Sequence, residues 1–354
     1  MKFDIKKIHR PKKTFKLSQL EGIYDLKIEK VEEHFKGNIE LPEEWNIGVI
    51  VGPSGTGKTT IAKELFQKNL VTSFKWGNNS IIDDFDCSIA LTTRLLSSVG
   101  FSSPPSWIKP FSVLSNGEKM RVELARAMAE KENLFAFDEF TSTVDRQVAK
   151  IGSLAIQKSI RNNNKQFIAI GCHYDVLEWL QPDWVFDTKN FNFLNKEEVK
   201  KKYTRKQAKF TIKKGTDKDW TLFQRYHYLS KSLRQGTKIF TLNYENEKIG
   251  FISFFTFPHP KYKRGLWKVH RIVILPNYQG IGVGIKFLNE VAKNFHSKFK
   301  PFTITTSNTT FIKGLNKNTA WRFNSYAFRS KHVGGMSGYK GSANRKTASF
   351  FFKS

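Results

Sequence analysis

Acidic side chains are scarce in this sequence and cysteine is nearly absent. Across 354 residues, 59 Lys and Arg face 31 Asp and Glu, a formal net charge of +28. A lysine-rich composition bias would raise Glu alongside Lys, and it has not; the excess points to a polyanionic partner, most often nucleic acid. Beyond Glu290 there is no Asp or Glu, while twelve Lys and Arg follow. Two cysteines, Cys87 and Cys172, exclude a disulfide framework or a zinc cluster and suit a reducing cytoplasm. Long apolar runs are missing: Ile249 to Phe257, the longest, is too short to span a bilayer, so no membrane partner is expected. Met1 to Lys16 is basic without an apolar stretch, unlike a secretory signal; it reads as a solvated arm.

What is present is a chain long enough for two domains, with 39% hydrophobic residues. Gly52-Pro53-Ser54-Gly55-Thr56-Gly57-Lys58-Thr59-Thr60 fits G-x-x-x-x-G-K-[ST]. It follows a short apolar run, Asn46 to Val51, and precedes a helical pattern, so it reads as a strand–loop–helix phosphate cradle. Gly52, Ser54, Gly55 and Gly57 shape the loop. Lys58 reaches the β/γ-phosphates of ATP, Thr60 opens the helix, and the Thr59 hydroxyl sits on Mg²⁺. Residues 23–51 read as strands, with Tyr24 and Phe35 both candidates to stack on adenine.

Farther on, Ser80 to Asp86 reads as a strand ending in carboxylates, Ile89 to Val99 as a helix, and Ser103 to Trp107 as a loop. Leu114-Ser115-Asn116-Gly117-Glu118 opens an amphipathic helix, where Ser115, the Gly117 backbone N–H and the helix dipole suit a γ-phosphate. Asn133 to Phe137 is an apolar strand that runs into Asp138, suited to Mg²⁺ through water, and Glu139, suited to deprotonating an attacking water. A further strand, Gln166 to Cys172, ends in His173.

These blocks, Gly52–Thr60, Leu114–Glu118, Phe135–Glu139, Thr141–Asp145 and His173, resemble in order the Walker A, signature, Walker B, D-loop and H-switch of ATP-binding-cassette (ABC) ATPases. Arg121 and Arg126 fall where that family's post-signature helix carries arginines. The resemblance implies Lys58 and Thr59 on phosphate and Mg²⁺, Asp138 supporting the metal, Glu139 as general base and His173 on the γ-phosphate. It also implies that Ser115 and Gly117 act in trans, across a homodimer closed on ATP. Asn116, Glu118 and Phe140 depart from the family's usual Gly, Gln and Pro. No Gln lies between Gln67 and Gln147, so the Q-loop glutamine is missing, with Asp83, Asp84 and Asp86 as candidates to replace it. The Lys58–Ser115 spacing is short for a transporter cassette.

The first domain is assigned to 1–195, closing with strand Pro182–Asp187, followed by a charged linker, 196–209. In the second, 210–354, a helix over Trp220–Leu229 precedes two strands joined at Glu245–Glu247. Strand Trp267–Leu275 then runs into Gln279-Gly280-Ile281-Gly282-Val283-Gly284 and a helix. A glycine turn at a helix start cradles a pyrophosphate. In this order the segment resembles the acyl-CoA loop of GNAT-type acyltransferases, matched by Gln279, Gly282 and Gly284 with Gly280 between them. By that resemblance the Ile272–Leu275 strand, Ile274 included, pairs with the pantetheine arm. His227 and Tyr228 are the catalytic candidates, with His270 an alternative; a carboxylate general base would have to be Asp217, Asp219, Glu245, Glu247 or Glu290. His227–Ser230 and His270-Arg271 faintly resemble Mom-type DNA-modification acyltransferases. The basic tail interleaves Lys and Arg with Trp321, Phe323, Tyr326, Phe328, Tyr339 and Phe350–Phe352.

The fold class expected is therefore α/β: an ABC-type P-loop ATPase domain followed by an α+β GNAT-like acyltransferase domain, a fusion resembling one common in phage-like and mobile genomes. ATP, Mg²⁺ and acetyl-CoA or another acyl-CoA are the expected cofactors, and DNA or RNA the expected partner. The leading function is acylation of a nucleic-acid base. The alternatives are an ATP-driven nucleic-acid clamp whose second domain only binds, and an ATP-regulated protein or small-molecule N-acetyltransferase.

Overall fold

The computed structural model describes residues 1–24, 31–130, 133–204, 209–227, 232–245, 247–328 and 346–353. The chain gathers into two compact units, neither of them continuous in sequence. The first comprises Met1–Ser73, Lys131–Thr143 and Ile160–Arg205; the second comprises Phe74–Glu130, Val144–Ser159 and Lys206–Ser354.

In the first unit a sheet runs in the order β4 (Leu70–Val71), β5 (Leu134–Phe137), β6 (Gln166–Gly171), β3 (Ile47–Val51), β7 (Trp184–Asp187), β8 (Asn192–Asn195). All neighbours are parallel except β7–β8. Every residue of β3 is buried, as a central strand covered on both faces requires. A ribbon of β1 (Lys2–His9) and β2 (Val31–Asn38) brings Phe3 and Phe35 into one core with Ile50, Phe66, Ile168, Trp184 and Phe186. Helices α1 (Phe15–Tyr24), α2 (Lys58–Phe66), α7 (Val176–Leu180) and α8 (Lys196–Lys202) complete the unit. Because β3, β5, β6 and β7 are parallel neighbours in the sheet, the residues that follow them emerge along one edge, the edge where open α/β sheets hold ligands.

The second unit combines helices from the first half of the sequence with the sheet of the second half. The helices are α3 (Ile89–Ser98), α4 (Pro104–Trp107), α5 (Asn116–Glu130) and α6 (Arg146–Asn162) as far as Ser159. The sheet runs in the order β14 (Trp321–Phe328), β15 (Lys346–Phe352), β13 (Phe302–Thr306), β12 (Tyr262–Ile274), β11 (Glu247–His259), β10 (Lys238–Tyr244), β9 (Phe210–Lys214). Its one parallel pair, β12–β13, is bridged by α10 (Val283–Phe295). The short α9 (Trp220–Phe223) and α11 (Thr309–Lys317) also belong here. Phe254 anchors the core, with the rings of Phe295, Phe302 and Trp267 at 4.9, 5.0 and 5.5 Å.

Several local expectations change. Ile81–Asp84 is a 3₁₀ turn rather than a strand: Asp83 accepts from the Ser80 hydroxyl (2.9 Å) and Asp84 from the Gly77 N–H (3.0 Å), so its carboxylates are held locally. Pro104–Trp107 forms a helical turn because Pro suits a first helical position. Of the helix expected over Trp220–Leu229, the described part is α9 with a 3₁₀ turn on either side, and Tyr228 and Leu229 lie outside the described residues. β7 is followed by β8, and residues 196–202 form α8 with an Asn195–Glu198 capping box. The basic tail carries two strands that bury Trp321, Phe350 and Phe352 in the core.

Candidate active sites

The candidate nucleotide site, the Gly52–Thr60 loop, lies at the strand-end edge of the first unit. Pro53, Ser54 and Gly55 are exposed at the loop's outer side, while Gly52 is buried against the start of the segment after β7. Gly57 caps α2 at φ 84°, ψ 10°, and the Phe35 ring covers it, so a Cβ there would lie 2.5 Å from Phe35. Glycine is required on both counts. No side chain caps α2. Its first-turn N–H groups and positive dipole end are left for an anion.

Lys58 is buried and donates from Nζ to the Pro53 carbonyl at 2.7 Å, which curls its ammonium back across the loop. Thr56 donates to the same carbonyl (2.8 Å) and meets Thr188 Oγ1 at 2.6 Å, tying the loop to β7. Lys7 donates to Thr60 Oγ1 (2.6 Å), bringing a second ammonium to the helix start.

Thr59 Oγ1 donates to Asp138 Oδ1 at 3.3 Å, and that oxygen also accepts the Glu139 N–H (3.0 Å). A hydroxyl beside one carboxylate is a hard-oxygen pair of the kind Mg²⁺ uses when phosphates and water complete its shell. Among the described residues no cluster of three or more His, Cys, Asp and Glu is placed to hold a metal ion by itself. Glu139 stands at φ 52°, a left-handed conformation rare for a non-glycine, and its Oε2 accepts from Ser142 Oγ (2.6 Å). His173 follows β6, with Cys172 Sγ 3.4 Å from its Nδ1. Of the adenine-stacking candidates, Phe35 is committed to the core, while Tyr24 is exposed.

The signature turn belongs to the second unit. Ser115 N–H and Oγ–H both donate to Glu118 Oε2 at 3.0 Å, forming a capping box at the start of α5. Glu118, a departure from the family's Gln, therefore occupies the hydroxyl expected to meet phosphate. Gly117 is buried against Val148, and Asp145 Oδ1 accepts the Val148 N–H (2.9 Å) to cap α6. Asp83, Asp84 and Asp86 are also in this unit.

The candidate acyl-CoA loop, Gln279–Gly284, follows β12. Gly282 caps α10 at φ 84°, ψ 6°, close to the conformation of Gly57, and again no side chain caps the helix. Gln279 does not reach outward: its Nε2 donates to the Ile274 carbonyl (2.7 Å), and its Oε1 accepts the Ser102 N–H (3.0 Å). Gly280 rests on Gly100, and Gly284 sits between Ile274 and Phe311. A Cβ on Gly282 would lie 3.1 Å from Lys158 Nζ. Partial burial, then repulsion from Lys286 and Lys317, pushes Lys158 below the usual lysine range. Three ammonium groups thus lie near this helix start, a favourable setting for an anion.

β12 and β13 pair at Trp267–Phe302 and Lys268–Thr303 and no farther, while β15 pairs with the opposite edge of β13 from Thr303 to Thr306. A wedge opens between them. At its apex His270 is the extra residue of a β-bulge, since Val269 and Arg271 pair with the successive residues Phe254 and Ser253. His270 Nδ1 is buried without a hydrogen-bond partner. Burial, then Arg271 and Arg234, pushes His270 down to about 4, which keeps it neutral at pH 7. His227 packs its ring against Trp220 at 5.7 Å, and Tyr228 lies outside the described residues.

The contacts of Lys7 with Thr60, Thr188 with Thr56 and Gln147 with Tyr278 carried no signal in the sequence, because each joins residues far apart in the chain. Arg121 had one: it lies four residues beyond Gly117, on the same helix face.

The Acetyltransferase (GNAT) family model matches residues 176–305. An uncharacterized ABC transporter ATP-binding protein of Haemophilus influenzae is 30% identical, with 30% of this chain and 55% of the relative covered. The chain thus spans about half the length of the curated relative it matches. Among solved structures, the IAA acetyltransferase from Bacillus cereus is similar at 18% identity and a TM-score of 0.30, over 41% of this chain and 99% of that one. An ATP-binding cassette solved as a dimer in a post-hydrolysis state with ADP and Pi is similar at 14% identity and a TM-score of 0.37, over 49% and 94%. The N-terminal region resembles ABC ATPase cassettes, and a GNAT domain follows it. Among the described residues no helix is long and apolar enough to cross a membrane.

Proposed function

We propose that this chain, a region resembling ABC cassettes joined to a GNAT domain, is an ATP-hydrolysing, nucleic-acid-associated acyltransferase that acts on a base amine in the cytoplasm. Residues 1–195 would form the ATPase domain and 210–354 the acyltransferase domain. The observation that carries the nucleic-acid reading is charge: from Lys248 to Ser354, Glu290 is the one acidic residue. On the same part of the chain, Phe257, Phe299, Phe323 and Tyr326 are exposed. Lys268 stands 4.4 Å over the Phe257 ring, and Lys346 stands 4.0 Å over Tyr326. Exposed rings set among cations suit phosphates and an unpaired base.

On the ATPase side, Lys58 and the α2 N-terminus would bind phosphate, and Thr59 with Asp138 would hold Mg²⁺. Glu139 would take a proton from the attacking water, and His173 would face the γ-phosphate. Ser115 and Gly117 would complete the site across a homodimer. On the transfer side, acyl-CoA supplies an activated thioester. The chain's part is to hold the pyrophosphate at Gly280–Gly284 and to orient the thioester in the wedge beside Ile274. The amine nitrogen bonds to the acyl carbon, the C–S bond breaks, and CoA leaves as a thiolate that takes up a proton. The amine's own proton passes to an acceptor, for which His227, Tyr228 and the neutral His270 are the candidates. Orientation and oxyanion stabilisation carry most of such a barrier.

Mass spectrometry of nucleosides from cells expressing the wild type, Lys58→Ala or Gly282→Glu tests this reading. An acylated nucleoside present only with the wild type supports it. An unmodified pool alongside active ATPase refutes base acylation. One observation favours the clamp reading instead: Gln279 and Gly280 are already engaged by Ser102 and Gly100. Steeply salt-dependent DNA or RNA binding without acetyl-CoA binding would establish that reading.

A further inference from the structure

We infer that the signature helix and the acyl-CoA loop move as one element, with Arg121 as the positioning residue through which nucleotide at Ser115–Gly117 alters acyl-CoA affinity. The inference rests on the proposed reading of those two loops as ligand sites, and everything it connects lies within the second unit.

Arg121 is fully buried, one turn beyond Gly117 on α5. Its two terminal nitrogens donate to successive backbone carbonyls, Pro276 at 2.7 Å and Asn277 at 3.1 Å. These carbonyls belong to the 3₁₀ turn Pro276–Tyr278, which delivers the chain into Gln279–Gly284. A planar guanidinium fork fixes both at once, as a lysine could not. The rest of the turn is fastened to the same group of helices. The Tyr278 hydroxyl accepts from Gln147 on α6 and donates to Glu247 at 2.5 Å. Gln279 is braced by Ser102, and Gly280 rests on Gly100. The loop therefore has no independent freedom: a shift of α5 relative to α3 and α6 has to reshape it.

The input end has two alternative states. Glu118 now holds both donors of Ser115. A phosphate oxygen taking those donors has to displace the carboxylate, because two anions do not share them. Glu118 is also one of two carboxylates, with Asp145, whose charge acts on the buried guanidinium. Moving it away strips Arg121 of part of its compensation, and a buried cation responds strongly to such a loss. The Ser115–Glu118 box is thus the element that nucleotide biases, and the Arg121–Pro276/Asn277 fork carries the bias to the loop. Linkage then requires the reciprocal effect, acyl-CoA altering nucleotide affinity by the same factor.

Calorimetric titration of the full chain with acetyl-CoA, with and without saturating AMP-PNP and Mg²⁺, tests this. The wild type is expected to change its acetyl-CoA Kd by about 5-fold or more, the lower range of allosteric couplings. AMP-PNP titrated with and without acetyl-CoA should give the same factor. Arg121→Lys keeps the charge and loses the fork; its factor should fall to less than about 2-fold while AMP-PNP still binds. Should that variant fail to fold, the wild-type factor and its reciprocal decide the matter. A wild-type Kd indifferent to nucleotide, or an Arg121→Lys factor equal to the wild type's, overturns the inference but leaves the acyl-CoA site standing. No acetyl-CoA binding under either condition overturns both.

Discussion

Two glycines of the acyl-CoA loop share a backbone conformation but not a neighbourhood, and the contrast gives a sharp test of how the loop is seated. Gly280 has φ 85° and Gly282 φ 84°. Alanine at either position pays the left-handed penalty of about 1–2 kcal/mol. At Gly280 the new Cβ would also lie 2.8 Å from Gly100 Cα and 2.9 Å from both Gly100 N and Ala155 Cβ. Two of those atoms are backbone and cannot rotate away, so an overpacking cost of about 1–3 kcal/mol adds to the strain. At Gly282 the nearest atom is Lys158 Nζ at 3.1 Å, the far end of a flexible side chain that can move aside.

Gly280→Ala should therefore cost roughly 2–5 kcal/mol and Gly282→Ala roughly 1–2 kcal/mol, from the same two principles. For a unit of about 150–250 residues each kcal/mol lowers Tm by about 2–4 °C. Differential scanning calorimetry of the full chain should show the larger shift for Gly280→Ala. Acetyl-CoA affinity should show a large loss for Gly282→Ala relative to its small stability cost, because that Cβ enters the space over the uncapped α10 N-terminus. Equal Tm shifts for the two variants would refute the seating of Gly280 on Gly100, and with it the argument that the loop is fastened to the segment that follows α3.

Glu139→Gln should lower ATP hydrolysis by about 100-fold or more, the contribution of a positioned general base, with nucleotide binding retained; phosphate release and AMP-PNP titration check the two halves. Asp183 is buried, and burial pushes its carboxyl up. The N–H groups of Asn46 and Ile47, with Lys196 and Arg161, outweigh burial and leave it below the usual carboxylate range. The unfolded chain then binds the proton first as pH falls. The stabilisation is complete above about pH 4 and is lost as pH drops through the folded value. Asp183→Asn should flatten that acid limb in urea titrations, and Asp183→Ala should cost about 1–3 kcal/mol, because the buried Ile47 N–H then loses its acceptor.

Much of the fold was legible because its signals are local. The glycine–lysine loop between an apolar strand and a helix, the β10–β11 hairpin and the α10 helix start each declare themselves within about ten residues. Ser80–Asp86 misled because a run of two isoleucines before carboxylates reads as a strand, whereas the acids turn the backbone by accepting from Ser80 and Gly77. The tail's alternation is local as well: Ala348, Phe350 and Phe352 face the core at period two, with less buried residues between them. Glu118 and Gln279 were visible as residues but not as contacts. A motif reading assigns Ser115 and Gln279 to ligands, while the structure gives the first to Glu118 and the second to Ile274 and Ser102.

That difference bears on what has to be present for the acyl-CoA loop to exist. Its partners Gly100, Ser102, Arg121 and Gln147 all precede residue 210 and fold with the C-terminal sheet in one unit. A fragment of residues 210–354 lacks them. The Pro276 and Asn277 carbonyls and the Gln279 Oε1 then lose their donors, at about 1–3 kcal/mol for each group that stays buried without a replacement. The surface of Gly280 that met Gly100 also faces water. The fragment should unfold at a lower temperature than the corresponding transition of the full chain and bind acetyl-CoA weakly or not at all, even though every residue of the loop is present. A fragment with full-chain acetyl-CoA affinity would mean that the helices merely rest on the loop. A fragment that regains affinity when the helical segment is supplied in trans would mean that they build it.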